Sequence, residues 1–70
     1  MKFSNLEEPD QYVAIAKMEL HGGGFASAIA VAWYKADMFN REKLNDTFDD
    51  MFTMYANMST TELMIIFSFI

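Results

Sequence analysis

The sequence has no cysteine and a single histidine, His21. A chain without cysteine forms no disulfide and offers no thiolate to a metal, and one histidine cannot build a multi-histidine site. Basic side chains are also scarce: five Lys and Arg stand against ten Asp and Glu, which gives a net charge of −5. Direct binding to nucleic acid needs a basic patch, which this composition disfavours, so a partner with a basic surface fits better. We expect no metal and no cofactor.

Long apolar segments are missing as well. The C-terminal stretch LMIIFSFI, residues 63–70, is apolar but only eight residues long, whereas a membrane span needs about 20. The N-terminal stretch MKFSNLEEPDQ contains no apolar run of the kind that a secretion signal requires. These absences predict a soluble, cytoplasmic protein with no membrane partner.

What the sequence does have is apolar bulk. It is 53% hydrophobic and includes seven Phe and seven Met, which is too apolar for a disordered chain. Residues 1–70 make one domain, and a chain of this size buries only about 60% of its unfolded surface. Because disulfides and thiolate metal sites are excluded, dense apolar packing and self-association are the remaining means of stabilisation.

The periodicity predicts an all-α fold, a compact bundle of three or four helices. After an extended lead-in over residues 1–8, Pro9 suits the first turn of a helix, and apolar residues recur at helical spacing up to the glycines. The next segment, FASAIAVAWYKA, is alanine-rich and apolar on nearly every side, which predicts a central helix that is buried nearly all round. We expect helices over residues 10–21, 25–36, 38–56 and 60–69.

The third and fourth segments each leave an alternative open. Apolar residues between positions 44 and 55 recur at helical spacing, but a break near residues 48–49 would divide this segment into two helices. Ser59 and Glu62 fit a capping box that would start the fourth helix. The β-branched and aromatic content of IIFSFI makes a strand the competing interpretation there.

Gly22, Gly23 and Gly24 raise the question of a phosphate-binding loop. Such a loop needs a preceding strand and a GxGxxG or GxxxxGK[ST] pattern, whereas the segment before these glycines is helical in pattern and the required lysine is missing. We therefore predict a turn between two helices, with Gly22 ending the first helix in the left-handed conformation. His21 beside this turn has no catalytic partner at a suggestive spacing, which favours a structural role.

Two groups of residues are candidates for binding a partner. Asp46, Asp49 and Asp50 recur at i, i+3 and i+4 and would cluster on one face of a helix. A solvated helix face is the first interpretation of this cluster, an interaction surface the second and a metal site a distant third, because the twelve-residue calcium pattern is absent. The apolar C-terminus either packs over the helices or forms an interface. Its natural anchors are Met64, Ile65, Phe67 and Phe69.

The segment HGGGFASAIAVAWYKADMFNREKLNDTFDDMFTMY, residues 21–55, resembles a group of very short proteins of unassigned function encoded in phage and prophage genomes. The recurring positions are here Gly22, Gly23, Phe25, Ala28, Trp33, Ala36, Asp37, Asn40, Lys43, Leu44, Phe48 and Tyr55. The group often has proline after the residue equivalent to Phe48, where this sequence has Asp49. The resemblance implies a phage-encoded accessory protein in the cytoplasm of the bacterial host, and it transfers no catalytic residue.

The favoured functional hypothesis is an accessory protein that binds a bacterial host or defence protein and inhibits or modulates it. The alternative is a self-assembling structural or morphogenetic phage component, and a homo-oligomer is expected. A third hypothesis is that the acidic face mimics DNA, although a net charge of −5 is modest for this role. An enzyme is not expected, because the sequence offers no catalytic constellation and too little chain for a deep pocket.

Overall fold

Four α-helices follow a short 3-10 helix in the computed structural model, which describes residues 2–58. The 3-10 helix spans Phe3–Asn5, and the α-helices are α1 (Glu8–His21), α2 (Gly23–Lys35), α3 (Met38–Thr47) and α4 (Asp49–Ala56). Within this range there is no strand. The prediction of an all-α helical bundle is confirmed, while the helix expected over residues 60–69 lies outside the described part of the chain.

α1 begins earlier than predicted, at Glu8 rather than at residue 10. Pro9 lies in its first turn, where a missing N–H costs no helical hydrogen bond. Glu8 and Asp10 place negative charge at the positive end of the helix dipole. α1 packs against both α2 and α4, so it is the helix on which the described part of the bundle is assembled.

The hydrophobic core lies where α1 meets α2 and α4. α1 supplies Ile15 and Met18, which have no exposed surface, and Phe3, Trp33 and Phe52 enter from the other elements. The rings of Phe3 and Phe52 meet edge to face with their centroids 5.0 Å apart, a geometry that aromatic pairs prefer. Each such buried side chain contributes about 1.5–3 kcal/mol. Large aromatic side chains therefore compensate for the small size of this core.

α2 is buried along one face, so the expectation of a helix covered nearly all round does not hold for residues 2–58. The buried face carries Ala26, Ala30 and Trp33. On other faces Phe25 remains 64% exposed and Val31 40% exposed. The physical reason is that α2 packs chiefly against α1. The other described helices are too short and too few to cover its remaining faces.

The glycines between α1 and α2 form a turn. The Gly22 N–H donates to the Met18 carbonyl at 2.8 Å, and the Gly22 backbone is right-handed, with φ −83° and ψ −1°. The left-handed residue is Gly23, at φ 72°. The prediction put this conformation one position too early, because the residue after the C-cap is the one that usually adopts it. A helix and not a strand precedes the turn, so the context of a phosphate loop is absent.

Gly22 is needed for close packing instead. A Cβ on Gly22 would overlap the Ala26 Cβ and lie 2.5 Å from the Met18 carbonyl oxygen. The Tyr55 hydroxyl of α4 would lie 3.0 Å from the same Cβ. Three helices therefore converge on this position, and any side chain there would push at least one of them away.

The helix predicted over residues 38–56 is divided at Phe48, which is the break that the sequence left open. Asp37 caps α3 by accepting a hydrogen bond from the Asn40 N–H at 2.8 Å. Phe48 has φ −109° and ψ 27°, and α4 begins at Asp49. The change of direction allows α4 to pack on α1.

The N-terminal residues form a 3-10 helix rather than the extended lead-in that was expected. The Phe3 N–H donates to Asp49 Oδ1 at 2.7 Å, and Gln11 Nε2 donates to the Leu6 carbonyl at 2.9 Å. Side chains of α4 and α1 therefore fix this segment in place. They form hydrogen bonds with backbone groups that so short a helix leaves unpaired.

Lys17 of α1 is buried, and its Nζ donates to the Met58 carbonyl at 2.6 Å. Met58 follows the end of α4, where carbonyl groups lack helical partners and the helix dipole favours a cation. A buried ammonium without such a partner would carry a large desolvation cost. Lys17 thus ties α1 to the C-terminal end of α4.

Replacing the glycines one at a time by alanine separates close packing from backbone conformation. We expect Gly22→Ala to lower the free energy of unfolding by about 1–3 kcal/mol through overpacking. Gly23→Ala should cost about 1–2 kcal/mol through its left-handed backbone alone, since nothing lies within 4 Å of a Cβ there. Gly24→Ala, also with open space around it, is the control and should be neutral or stabilise by up to about 1 kcal/mol. Urea unfolding followed by circular dichroism measures all three, and equal stability of the Gly22 and Gly24 variants would contradict the close packing.

Candidate functional site

Tyr12 of α1, Trp33 and Tyr34 of α2, and Arg41 of α3 meet near the connection between α2 and α3, and we call these four residues the aromatic–arginine cluster. Trp33 is fully buried, and Tyr12 stands edge-on to it with the ring centroids 5.0 Å apart. Tyr34 stacks on Tyr12 at 6.2 Å. The cluster therefore joins three helices through ring contacts, each of which favours a defined geometry.

The Arg41 guanidinium is held against these rings. Its Cζ lies 4.0 Å from the Trp33 ring centroid and 5.5 Å from that of Tyr12. Nε donates to the Trp33 carbonyl at 3.3 Å, and Nη1 donates to the Tyr12 hydroxyl at 3.4 Å. A cation over an aromatic face contributes about 0.5–2 kcal/mol. Arg41 is thus ordered by contacts within the chain.

A buried hydrogen bond supports the cluster from α3. Trp33 Nε1–H donates to Asn45 Oδ1 at 2.8 Å, and Asn45 is only 2% exposed. Because the indole N–H is a donor only, the atom that faces it is the amide oxygen, and the amide nitrogen of Asn45 points elsewhere.

A cleft of about 440 Å³ opens beside the cluster, and we call it the α1–α3 cleft. Its walls come from the first turns of α1 and from α3: Glu8, Gln11, Met38, Arg41, Glu42 and Asn45. Asn45 and Arg41 bring hydrogen-bond donors, whereas Glu8 and Glu42 bring carboxylates. The volume lies within the range of about 300–1,000 Å³ that is common for ligand clefts.

The surface around the cluster is rich in residue types that dominate protein interfaces. Tyr12 and Tyr34 are partly exposed, and Met38 is 84% exposed. Tyr and Arg are over-represented among the residues that carry binding energy between proteins, and Met is enriched in interfaces. We call Tyr12, Tyr34, Met38 and Arg41 the cluster surface.

Other chemistry finds less support in residues 2–58. No group of three or more His, Cys, Asp or Glu in this range could hold a metal ion. A second cleft of about 250 Å³ lies between α1 and the end of α4, but its Lys17 ammonium is already bonded to the Met58 carbonyl. None of the helices described has both the length and the apolar character needed to cross a membrane. Hydrogen bonding and charge at the α1–α3 cleft suit binding.

The three aspartates singled out from the sequence do not share one helix. The break at Phe48 leaves Asp46 on α3 and places Asp49 and Asp50 on α4. Asp49 is half-buried and accepts the Phe3 N–H, so its carboxylate holds the N-terminal segment. Asp46 and Asp50 are exposed and remain available for contact with a partner.

The remaining candidates from the sequence fall into two classes. The apolar anchors of the C-terminus lie outside the described residues and stay a prediction: Met64, Ile65, Phe67 and Phe69. His21 is the last residue of α1, half-buried beside the glycine turn.

Hydrophobic periodicity does not predict the aromatic–arginine cluster. Arg41 bonds to Tyr12 across 29 positions of the sequence, and nothing local links the two residues. One signal was available, the Trp33–Tyr34 pair near the end of a helix made mostly of small residues. Its importance becomes visible only when α3 brings a guanidinium to it.

No protein-family model matches the chain, and no curated protein or solved structure matches it. The resemblance to short phage proteins therefore stays a prediction. The function has to be inferred from the cluster surface and the α1–α3 cleft.

Replacing Asp49 or Asp50 by alanine tests whether Asp49 is structural. Both residues lie in the first turn of α4, so both changes remove a charge that stabilises the helix by about 0.3–1 kcal/mol. Only Asp49→Ala also removes the acceptor of the Phe3 N–H, for which we expect a further loss of about 1.5–3 kcal/mol. Thermal unfolding compares the two variants, and equal losses would show that the Phe3 contact contributes nothing.

Ionisation of the Tyr34 hydroxyl makes the stability of the fold depend on pH in alkaline solution. Burial, and then the Glu19 carboxylate and Tyr12, raise the pKa of Tyr34 above its ordinary value of 10.0. The folded state therefore holds this proton more tightly than the unfolded chain does, and stability falls as the pH rises through the unfolded pKa. We expect the free energy of unfolding to fall less between pH 7 and about pH 11 in the Tyr34→Phe variant than in the wild type. Urea unfolding at both pH values measures this, and an equal loss in the two proteins would argue against a raised pKa.

Proposed function

We propose that this chain is a protein-binding accessory protein whose interface is centred on the cluster surface. The observation that carries this proposal is the exposure of Met38, at 84%, in a cleft that it lines together with Arg41, whose guanidinium is ordered against the rings of Tyr12 and Trp33. Met, Tyr and Arg are enriched in protein interfaces, and Tyr and Arg are enriched among the residues that carry most of the binding energy.

The order of the cluster before binding supports the proposal. Fixing a flexible side chain at an interface costs about 0.5–1.5 kcal/mol, and Arg41 is already fixed by the Trp33 ring and by two acceptors. The tyrosines are stacked on one another and have few rotatable bonds to lose. A partner would therefore meet a surface whose conformation needs little adjustment.

The charge of the chain indicates what kind of surface the partner has. The net charge is −5, and Glu8 and Glu42 border the cleft beside the cluster surface. Negative charge around an interface steers a basic partner toward it and disfavours acidic competitors. We infer a partner with a basic patch next to an apolar contact.

The finer proposal places this partner in a bacterium. The resemblance of residues 21–55 to short phage proteins favours a host or defence protein that is inhibited or modulated by the contact. Mimicry of DNA loses support, because Asp49 is engaged with Phe3 and the break at Phe48 separates it from Asp46.

Self-assembly is the second candidate, and one observation favours it. The outward stripe of α2 exposes Phe25, Ala28, Val31 and Ala32, and its one charged neighbour in that helix is Lys35 in the last turn. In a chain with a net charge of −5, two copies would meet with least repulsion along such a stripe.

A pair of methionine variants tests the proposed interface. Met38→Asp places a charge on the cluster surface, and Met54→Asp makes the same change at an exposed methionine of α4. The immobilised full chain and both variants are incubated with bacterial lysates, and captured proteins are quantified by mass spectrometry. We expect Met38→Asp to reduce capture of a specific partner about 30-fold or more, as for a central interface residue. Met54→Asp should leave capture unchanged.

Circular dichroism must show that both variants keep the helical fold. Equal capture by the two variants, or an equal loss, would place the interface elsewhere than the cluster surface. Light scattering on the same proteins and on Phe25→Asp examines self-assembly. An oligomer that Phe25→Asp dissociates, together with capture that Met38→Asp leaves intact, would favour the second candidate.

A further inference from the structure

We propose that residues 59–70 of this chain pack on the outer face of α1, which we define by Val13, Lys17 and Leu20. The sequence left open whether this apolar segment covers the helices or forms an interface between molecules. The place where the described chain ends favours the first alternative and assigns the face. This inference does not rest on the proposed function, because none of the three residues belongs to the cluster surface.

The outer face of α1 carries two large apolar side chains that the described elements leave more than half exposed. Val13 is 52% exposed and Leu20 is 62% exposed. They stand four residues before and three residues after Lys17, so all three side chains lie on one side of the helix. A single exposed apolar side chain needs no explanation, whereas two on one face form a surface that an apolar segment can cover.

The described chain ends in the middle of this face. α4 packs chiefly on α1, and Met58 follows its last turn. The Met58 carbonyl accepts a hydrogen bond from Lys17 Nζ at 2.6 Å. This bond fixes the end of the described chain at the residue that lies between Val13 and Leu20. Residues 59–70 therefore continue from a point that is already attached to the outer face.

The segment is long enough to cover the face. Val13 and Leu20 are seven residues apart, which corresponds to about 10 Å along the helix axis. An extended chain gains up to about 3.3–3.6 Å per residue, so the residues after Met58 can reach either end of the face within a few positions. The apolar side chains that can then pack against it are Met64, Ile65, Phe67 and Phe69.

The cleft of about 250 Å³ between α1 and the end of α4 gives the segment a place to anchor. Its apolar lining residues are Leu6, Val13, Ala14 and Ala56, and its polar ones are Asp10, Lys17 and Asn57. The volume is below the range of about 300–1,000 Å³ that is common for ligand clefts, so it suits one apolar side chain better than a separate ligand. Lys17 does not oppose this, because its ammonium is bonded to Met58 and its methylene groups are apolar.

Contact within the chain is favoured over contact with a second copy. Residues 59–70 are tethered at Met58, so they meet α1 at a high effective concentration. Two copies would also have to bring together two chains with a net charge of −5 each, and docking within one chain avoids that repulsion. The segment then covers α1 and leaves the cluster surface to a partner.

Paramagnetic relaxation in the full chain tests the inference. Since the chain has no cysteine, Ser68→Cys provides one attachment point for a nitroxide and removes none of the apolar side chains of the segment. We expect the nitroxide to cause a loss of the backbone amide signals of Val13, Lys17 and Leu20, compared with the same protein after the nitroxide has been reduced. The signal of Lys43, on the exposed side of α3, should be retained.

A mixture of two samples distinguishes contact within the chain from contact between copies. A ¹⁵N-labelled chain without the nitroxide is mixed with an unlabelled chain that carries it. Intact α1 signals in the mixture would support docking within the chain. Loss of these signals in the mixture as well would assign the contact to a second copy and overturn the inference.

A matched pair of double variants of the nitroxide-labelled chain locates the contact. Val13→Gln with Leu20→Gln makes the outer face polar and should restore the signal of Lys17. Phe25→Gln with Val31→Gln makes the same kind of change at exposed positions of α2 and should leave the loss unchanged. Glutamine is a good helix former, and circular dichroism checks that both variants keep the fold. Signal loss on α2 in place of α1, or equal results for the two pairs, would show that the segment does not pack on the outer face.

Discussion

The hydrogen bond between the Trp33 indole and Asn45 is the interaction on which the candidate site depends. Both residues are almost fully buried, and the bond joins α2 to α3 beyond the short connection between them. A buried indole N–H without an acceptor would be costly, so Trp33 keeps its position only while Asn45 faces it. The position of Trp33 in turn provides the ring face for Arg41 and the ring that Tyr12 meets edge-on. Losing this one bond would therefore disturb every member of the aromatic–arginine cluster.

The rest of the described bundle shows how a small chain without disulfides stabilises its ends. Large aromatic side chains fill the core against α1, and Gly22 lets three helices approach one another closely. Polar side chains then satisfy backbone groups that the short helices leave over: Asp49 accepts the Phe3 N–H, and Lys17 donates to Met58. Charged residues in such positions act as structural elements, and an acidic or basic residue in this sequence is therefore not by itself a sign of function.

The cluster surface and the α1–α3 cleft share residues, and this continuity is what makes a binding function coherent. The surface offers the exposed side chain of Met38 and the ordered guanidinium of Arg41, while the cleft is lined by Asn45 and by the carboxylates of Glu8 and Glu42. An apolar contact gives affinity, and matched charges and hydrogen bonds give specificity and orientation. The apolar stripe of α2, which includes Phe25, Ala28, Val31 and Ala32, faces away from the buried side of that helix and is the feature that a second copy would use.

Much of the fold follows from local features of the sequence, whereas the site does not. The helical periodicity, Pro9 in the first turn of α1, the cap at Asp37 and the glycine turn all depend on residues close in sequence, so the all-α bundle was predictable. The one-sided burial of α2 and the bond of Asp49 to Phe3 depend on which helices pack together. Arg41, Tyr12 and Asn45 likewise meet around Trp33 only after three helices have packed. The sequence by itself determined where helices form; the tertiary structure decided which polar side chains are structural and which stay exposed, because those contacts join residues that no local rule connects.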